Sequence, residues 1–544
     1  MTFKVLKQCE SPMSGDFSEI GMEHSLTADR DTEKQHHQPF DHSRATTINS
    51  KFDNLDNHDA DIEMPPSTNP PSIFHNIWHE ILFIIVVTSA QLITQANLGN
   101  TIFPQFSIAS GLGVLDQPIK QSWFVASYSC TVGTFVLITG RLGDLYGRRN
   151  LFLLGYALLA ILNIGIGFAR NHILYDVLRA LSGIGPSIMM PNAAALLGGA
   201  WQGEDQRSRR MKMVAFCTFG AIAPGGYILG GAWGAGIIHA GAHWGWVYWS
   251  MAIVCAGLTV AAWWLVPDNE VTNGRGSGGF DWWGSLAGVC GLVMVFIALN
   301  GAPDFGWKGP ISPTLLILGI LNLIAFCYIE TKVSHPLLPM EIFRSSTFSA
   351  VAISLVGGWS SFGVFQYYQP HFLIQLRGIS PLHASLQMLP CALIGIVAAI
   401  LAVFLLPRVP GYTIFGFSML CFFLGQLLLI FTPVDQSYWQ MTFPICLIIC
   451  FGPDLSFACA SLIASDKLKP EQQGVAGSFI NTIVNYSIAL GLAVVGNVEA
   501  ATAHGDVEKG YRSAFYTGTG LAALGIIFTA IFWRGMSGAH KGGE

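Results

Sequence analysis

Long apolar runs, each close to twenty residues and separated by short polar segments, recur along the chain from residue 80 to residue 534. A bilayer-spanning helix needs about 20 mostly apolar residues. Fourteen stretches qualify: 80–103, 121–140, 150–169, 174–197, 213–238, 244–266, 282–301, 312–331, 347–374, 382–406, 412–432, 439–464, 471–497 and 513–534. Only helices or closed barrels satisfy every backbone group in lipid, and these runs are too long and too evenly apolar for barrel strands. The pattern predicts an all-α polytopic membrane protein with about 14 transmembrane helices.

The longer polar connections divide that series. "VPDNEVTNGRGSGGFDWWG" (266–284) and "TKVSHPLLPMEIFRSSTF" (331–348) bracket two plain helices, leaving six helices before and six after. Two six-helix bundles with weak internal symmetry are a transporter architecture. The expected organisation is a tail over 1–75, a first bundle over 76–266, a linker with two additional helices over 267–346, a second bundle over 347–534 and a short C-terminus over 535–544.

Composition sharpens the picture. Charged residues make up 11% of the 544, against about 25% in an ordinary soluble domain, and the mean hydropathy is +0.48. Residues 1–72 hold 13 acidic and 6 basic residues and few large apolar ones, a composition that predicts a disordered tail. The opening residues carry no apolar signal-peptide core. With that tail cytoplasmic, the inner loops carry 15 Lys and Arg against 6 outside, as the positive-inside rule requires. Both termini are then cytoplasmic, in the plasma membrane by default, with a vacuolar membrane as the alternative. The cysteines form no metal-binding pattern, and the aromatics at 243–249, 282–284 and 438–439 suit interfacial belts.

One loop stands out. "GRLGDLYGRRN" (140–150) sets Asp144 among arginines between two apolar runs. Glycines there permit a tight turn and close helix packing. The stretch resembles the signature between the second and third helices of the major facilitator superfamily, with Gly140, Leu142, Asp144, Gly147, Arg148 and Arg149 in the matching places. "LRALSGIGPSIMMPNAA" (178–194) is similar to the family's fourth-helix pattern through Arg179, Gly183 and Gly185. "FGAIAPGGYILGGAWG" (219–234) is similar to its fifth-helix antiporter run, although Ala223 replaces a usual glycine and the pair Gly230–Gly231 is displaced.

The resemblance implies the major facilitator fold: two six-helix bundles plus two extra helices, of the 14-helix drug:proton antiporter group. Within that group, 90–105, 452–462 and 472–499 resemble the fungal branch containing aminotriazole-resistance proteins, some of whose members are associated with ammonium or boron transport. The resemblance also implies a conformational latch made by Gly140, Asp144, Gly147, Arg148 and Arg149, and a helix-packing motif of Gly220, Pro224, Gly225, Gly226, Gly230 and Gly231.

Ionisable groups in the hydrocarbon are costly, about 2.5–3.5 kcal/mol each, and so are functional candidates. Arg179 and Asp176 share a helix face, and Arg179 is expected to face a central cavity; a purely structural ion pair between them is the alternative. Asp454 follows Pro453, which loosens its helix and leaves a mid-span carboxyl suited to carrying a proton. Amides pair at helical spacing: Gln91 with Gln95, Gln366 with Gln369, Asn481 with Asn485. With Tyr367 they are candidates for a substrate cavity, the alternative being hydrogen bonds between helices.

The function these readings support is secondary active transport of a small organic compound, driven by protons, with outward export favoured. Low-affinity movement of ammonium or borate is the second reading, and a transport-dead receptor or scaffold the third. No nucleotide-binding motif occurs, nor any His or acid cluster suited to a membrane enzyme. The expected partners are a small substrate, protons and the lipid bilayer, with no nucleic acid, cofactor or metal, and a monomer is expected.

Overall fold

The computed structural model describes residues 74, 76–201, 205–268, 279–466, 473–531 and 533. The expected tail apart from Phe74, the whole of 269–278 and the C-terminus 535–544 lie outside them. All described residues fall in one compact unit, Asn69–Glu544, and among them every regular element is helical.

Fourteen helices are long and apolar enough to cross a membrane: α1 Ile77–Ile102, α2 Pro118–Tyr146, α3 Arg148–Gly167, α4 His172–Ala200, α5 Gln206–His239, α6 Gly245–Leu265, α7 Trp282–Phe305, α8 Ile311–Glu330, α9 Ser346–Leu376, α10 Pro381–Leu405, α11 Gly411–Ile430, α12 Thr442–Ile463, α13 Gly477–Thr502 and α14 Val507–Ile531. Several of their starts are set by side-chain caps. Asn171 Oδ1 accepts the Leu174 N–H at 2.8 Å before α4, and Asp205 Oδ2 accepts the Ser208 N–H at 3.0 Å before α5, satisfying amides that a helix leaves free.

Within the first six helices, α1 packs along α5, α3 along α6, and α4 against α2 and α3; α9, α11, α12, α13 and α14 pack together in the second six. The two groups meet along two pairs, α2 with α13 and α5 with α10. Each pair joins the second helix of one group to the fifth of the other, so the same ordinal contact is used twice. This is the internal symmetry that the helix count suggests. The extra pair, α7 and α8, packs on itself, and α7 lies against α2 and α13. Tyr486 donates to the Leu292 carbonyl at 2.8 Å and Asn497 to the Leu299 carbonyl at 2.6 Å. Most of α8 is exposed, as a lipid-facing helix must be.

Small residues decide how closely helices approach. On α5, Gly226, Gly230 and Gly234 form one row; a Cβ on them would lie 2.4, 2.2 and 2.9 Å from the carbonyl oxygens of Leu92, Ala96 and Asn100 on α1. This is the small-residue contact by which helices associate in lipid. Gly231 faces Phe103 and Ser385 instead. Gly220 and Gly225, expected in the same motif, have nothing within 4 Å of a Cβ. They sit off the α1-facing row, so only part of the glycine run packs.

The face carrying the α2–α3 loop is held by charge. Arg148 reaches back to Asp144 at 3.0 Å, one turn away. Arg149 is buried, donating from Nε to the Val266 carbonyl and from Nη2 to the Trp263 carbonyl, both at 2.8 Å, with its guanidinium 5.1 Å from the Trp263 ring. It therefore anchors α3 to the end of α6. A further tie went unnoticed in the sequence. Buried Glu80 accepts from Trp201 at 2.8 Å and pairs with Arg207 at 2.6 Å, joining the starts of α1 and α5 to the end of α4. Its signal was an acid inside the first apolar run.

Between α2 and α3 the chain turns at Gly147, whose φ of 99° is open to glycine almost alone. Gly147→Ala is expected to cost roughly 1–3 kcal/mol, read as a lower melting temperature of the detergent-purified protein; an unchanged value would mean that the turn relaxes freely.

Candidate functional site

A cavity of about 310 Å³ lies between the two helix groups, lined from α1, α4 and α5 on one side and α9, α10, α12 and α13 on the other. Its lining reaches the loop-face end of α10 at Leu406 and stops near mid-span, around Tyr227, Gln366 and Met388. The cavity thus occupies the half of the protein nearer the α2–α3 loop.

The walls are apolar for the most part, with aromatic and sulfur-bearing side chains prominent among them. Trp359, Phe362 and Phe365 project from one stretch of α9, facing Phe216, Phe219 and Tyr227 of α5. None of these was singled out from sequence, although the near-helical spacing of Trp359, Phe362 and Gln366 places them on one face. Five predicted cavity amides are in the lining: Gln91 and Gln95 of α1, Gln366 of α9, and Asn481 and Asn485 of α13. Gln91 Oε1 and Gln366 Oε1 are buried without a hydrogen-bond partner, leaving acceptors that cargo or water can satisfy.

Asp454 is in the lining too. Its helix is interrupted at Cys450 and resumes at Phe451, as a proline three residues into the second segment permits. The carboxyl sits in that segment's first turn, and its Oδ2 is buried without a partner. Among the described residues that line it there is no Lys, Arg or His, and Asp454 is the one carboxylate. Pro224 of α5 and Gly395 of α10 meet beside it, where a Cβ on Gly395 would lie 3.1 Å from Asp454 Oδ2.

Other expected site residues lie elsewhere. Arg179 is fully buried inside the first bundle, away from the cavity lining. It donates to the carbonyls of Phe124 and Asn97, each at 3.1 Å, and stacks 4.5 Å from the Tyr128 ring. Nearby, Tyr175 hydrogen-bonds Tyr248, which in turn meets Thr101 at 2.9 Å. Carbonyls and π faces hold this guanidinium, so Arg179 does not face the cavity as expected, and the alternative, an ion pair with Asp176, is not formed among the described residues either. Asp176 Oδ1 is buried without a partner. Trp244 and Tyr248, expected in an interfacial belt, are buried beside this cluster.

Tyr367 and Gln369 also leave the cavity, each one helix position or more around from Gln366. Tyr367 accepts from Gln105 at 2.8 Å, and Gln369 is fully buried. With Gln105, Tyr367 belongs to a seal across the far half. There His371 Nε2 meets the Ile102 carbonyl at 3.0 Å, Tyr227 donates to the Gln366 carbonyl at 2.7 Å and Ser385 to the Ile228 carbonyl at 3.1 Å. Among the described residues, none of the four ion pairs joins the two bundles.

On the loop face, contact between the bundles runs through α2 and α13. A Cβ on Gly133 would lie 2.5 Å from the Tyr486 nitrogen, and one on Gly140 would lie 2.9 Å from Ser478 Oγ. Gly140, of the expected latch, thus touches the second bundle. Asp144, Arg148 and Arg149 make their ion pairs within the first.

Two helix bundles around a shared, closed-ended cavity define a membrane carrier rather than a channel or an enzyme. Residues 84–492 match the Major Facilitator Superfamily. The chain belongs to that family and is an integral membrane transporter by fold and kinship. It is 39% identical to the low affinity ammonium transporter of Saccharomyces cerevisiae, covering 84% of this chain and 88% of that one. It is 37% identical to the efflux pump terJ of Aspergillus terreus, with coverages of 87% and 90%. The aminotriazole resistance protein of S. cerevisiae is 32% identical, with 85% of each chain covered. The fold matches that of the POT family transporter PepTSo, with a TM-score of 0.60 at 14% identity over 86% of this chain and 99% of that one.

Proposed function

We propose that this protein exports small organic compounds, cationic ones above all, in exchange for protons, by rocking its two bundles about the cavity. The observation that carries the reading is Asp454: one unpartnered carboxylate in a cavity with aromatic side chains and, among the described lining residues, no cationic one. A carboxylate attracts a cation and repels an anion, aromatic faces stabilise an organic cation by about 0.5–2 kcal/mol, and the cavity's volume falls at the lower end of the range for ligand pockets. Asp454 binds a proton or the cargo in turn, which couples the two movements. Kinship with an efflux pump and a resistance protein supports the outward direction.

On this reading the α2–α3 loop face is cytoplasmic, the membrane is the plasma membrane, and the cavity is poised to load from inside. Gly140, Asp144, Gly147, Arg148 and Arg149 form the latch that stabilises one end of the rocking motion. Arg179 acts from inside the first bundle by holding α1, α2 and α4 together, with Asp176 as a second proton-carrying candidate.

The ammonium transporter among the relatives supports a second reading, movement of a small inorganic cation. The aromatic walls favour the organic one, since ammonium gains little from so wide an apolar surface. Flux of a labelled lipophilic ammonium compound and of labelled ammonium, in yeast lacking its own carriers, separates them. Expulsion of the organic cation that rises with the pH gradient is expected; movement of ammonium alone assigns the second reading, and movement of neither removes both.

A further inference from the structure

The feature that transport leaves unused lies at the loop-face end of the extra helix pair. Asp281 caps α7, its Oδ1 accepting the Gly284 N–H at 2.8 Å. Glu330 ends α8, and its Oε2 accepts the Leu338 N–H at 3.0 Å from the connector leading to α9. Each carboxylate therefore spends one oxygen on a backbone amide. The other oxygens, Asp281 Oδ2 and Glu330 Oε1, are buried with no hydrogen-bond partner, in residues 5% and 3% exposed. A Cβ on Gly284 would lie 2.1 Å from the first and 2.9 Å from the second, so the two oxygens are at most roughly 5 Å apart.

Among the described residues no counter-ion accompanies them. Neither residue takes part in any of the four ion pairs among the described residues. The charged and titratable groups on the surrounding elements are turned elsewhere. Arg141 of α2 directs Nη2 to the Gly279 carbonyl at 3.5 Å, and Lys332, His335, Glu341 and Arg344 of the connector are exposed. Two full negative charges this close, out of water and unpaired, do not persist together; such pairs retain a proton.

We propose that Asp281 and Glu330 hold one proton between them, forming an acid–carboxylate clasp that fastens the α8–α9 connector to the ends of α7 and α8. The proton comes from water and resides on one of the two facing oxygens. Its effect is mechanical. The Glu330 carboxyl positions the Leu338 amide, and Leu337 and Leu338 are buried beneath it. When the proton leaves, the carboxylates repel, Glu330 turns outward and the connector loses its anchor just before α9, which lines the cavity. The clasp stands whatever the cargo is.

The test uses the full-length protein in detergent, melted between pH 5 and pH 8 beside Glu330→Gln and Asp281→Asn, with infrared spectra of each. A fold that binds a proton more tightly than the unfolded chain loses stability as pH rises. The parent's melting temperature is therefore expected to fall with pH more steeply than that of Glu330→Gln. The carbonyl stretch of a protonated carboxyl should be present in the parent and reduced in both variants. If the variants do not fold, the protein is read with Asp454→Asn and Asp176→Asn in place, and the loss of the remaining band in step with the melting temperature decides. Overturning results are an unchanged band in both variants, or a melting temperature indifferent to pH and raised by sodium or calcium, which makes the occupant a metal cation.

Discussion

Asp454→Asn is expected to abolish transport driven by a pH gradient while leaving the protein folded and in its membrane. Asparagine keeps the size of the side chain and its place beside Pro224 and Gly395, so the α5–α10 contact survives. What goes is the negative charge that a cationic passenger meets and the group that takes the proton in its stead. Removing one partner of a desolvated charge pair costs about 2–5 kcal/mol, so affinity for a lipophilic cation should fall by about 30-fold or more. Whatever binding remains should lose its pH dependence, because no other carboxylate is among the described residues that line the cavity. Counterflow and cation binding across pH, measured in proteoliposomes, would settle it. A variant that transports with the parent's pH profile removes Asp454 from the mechanism, leaving Asp176 as the next candidate.

Gly230→Val should be nearly as damaging, through assembly rather than chemistry. The new Cβ would begin 2.2 Å from the Ala96 carbonyl oxygen and 2.5 Å from the Ala96 Cα, both backbone atoms that no rotamer change can move aside. Overpacking in a tight core typically costs 1–3 kcal/mol. Here α1 and α5 must part along their contact, so about 3 kcal/mol or more is expected, with several-fold less protein reaching the membrane. Gly225→Ala is the control: one row around on the same helix, it has nothing within 4 Å and should accumulate like the parent. Equal loss in both would mean that the glycine run acts through helix flexibility rather than through the α1 contact.

The contrast between those glycines shows where reading a sequence stops. The spans were legible because lipid demands long apolar runs, and each of the fourteen expected runs overlaps a helix of the structure. Asp454, Gln91 and Gln95 were legible for the complementary reason: polar groups in such runs are too costly to be idle. What sequence does not contain is the direction a side chain takes once neighbours are in place. Arg179 has the same cost in a span whether it faces a cavity or two carbonyls and a tyrosine ring, and only the positions of α1 and α2 decide. Gln366 and Tyr367 are adjacent, yet about 100° of helix rotation separates a cavity wall from the far seal. Gly225 and Gly226 differ in the same way.

On the proposed reading, Asp454, the one carboxylate among the described lining residues, also sets the electrical character of the cycle. Loaded with a monovalent cation, Asp454 and its passenger sum to zero; returning with a proton, they again sum to zero. Moving one elementary charge across a membrane is worth about 2.3 kcal/mol per 100 mV, but a one-for-one exchange at this residue moves none in either direction. Under the proposed exchange, membrane voltage has no grip on the cycle, and the concentrations of proton and cargo on the two sides alone decide how far it runs.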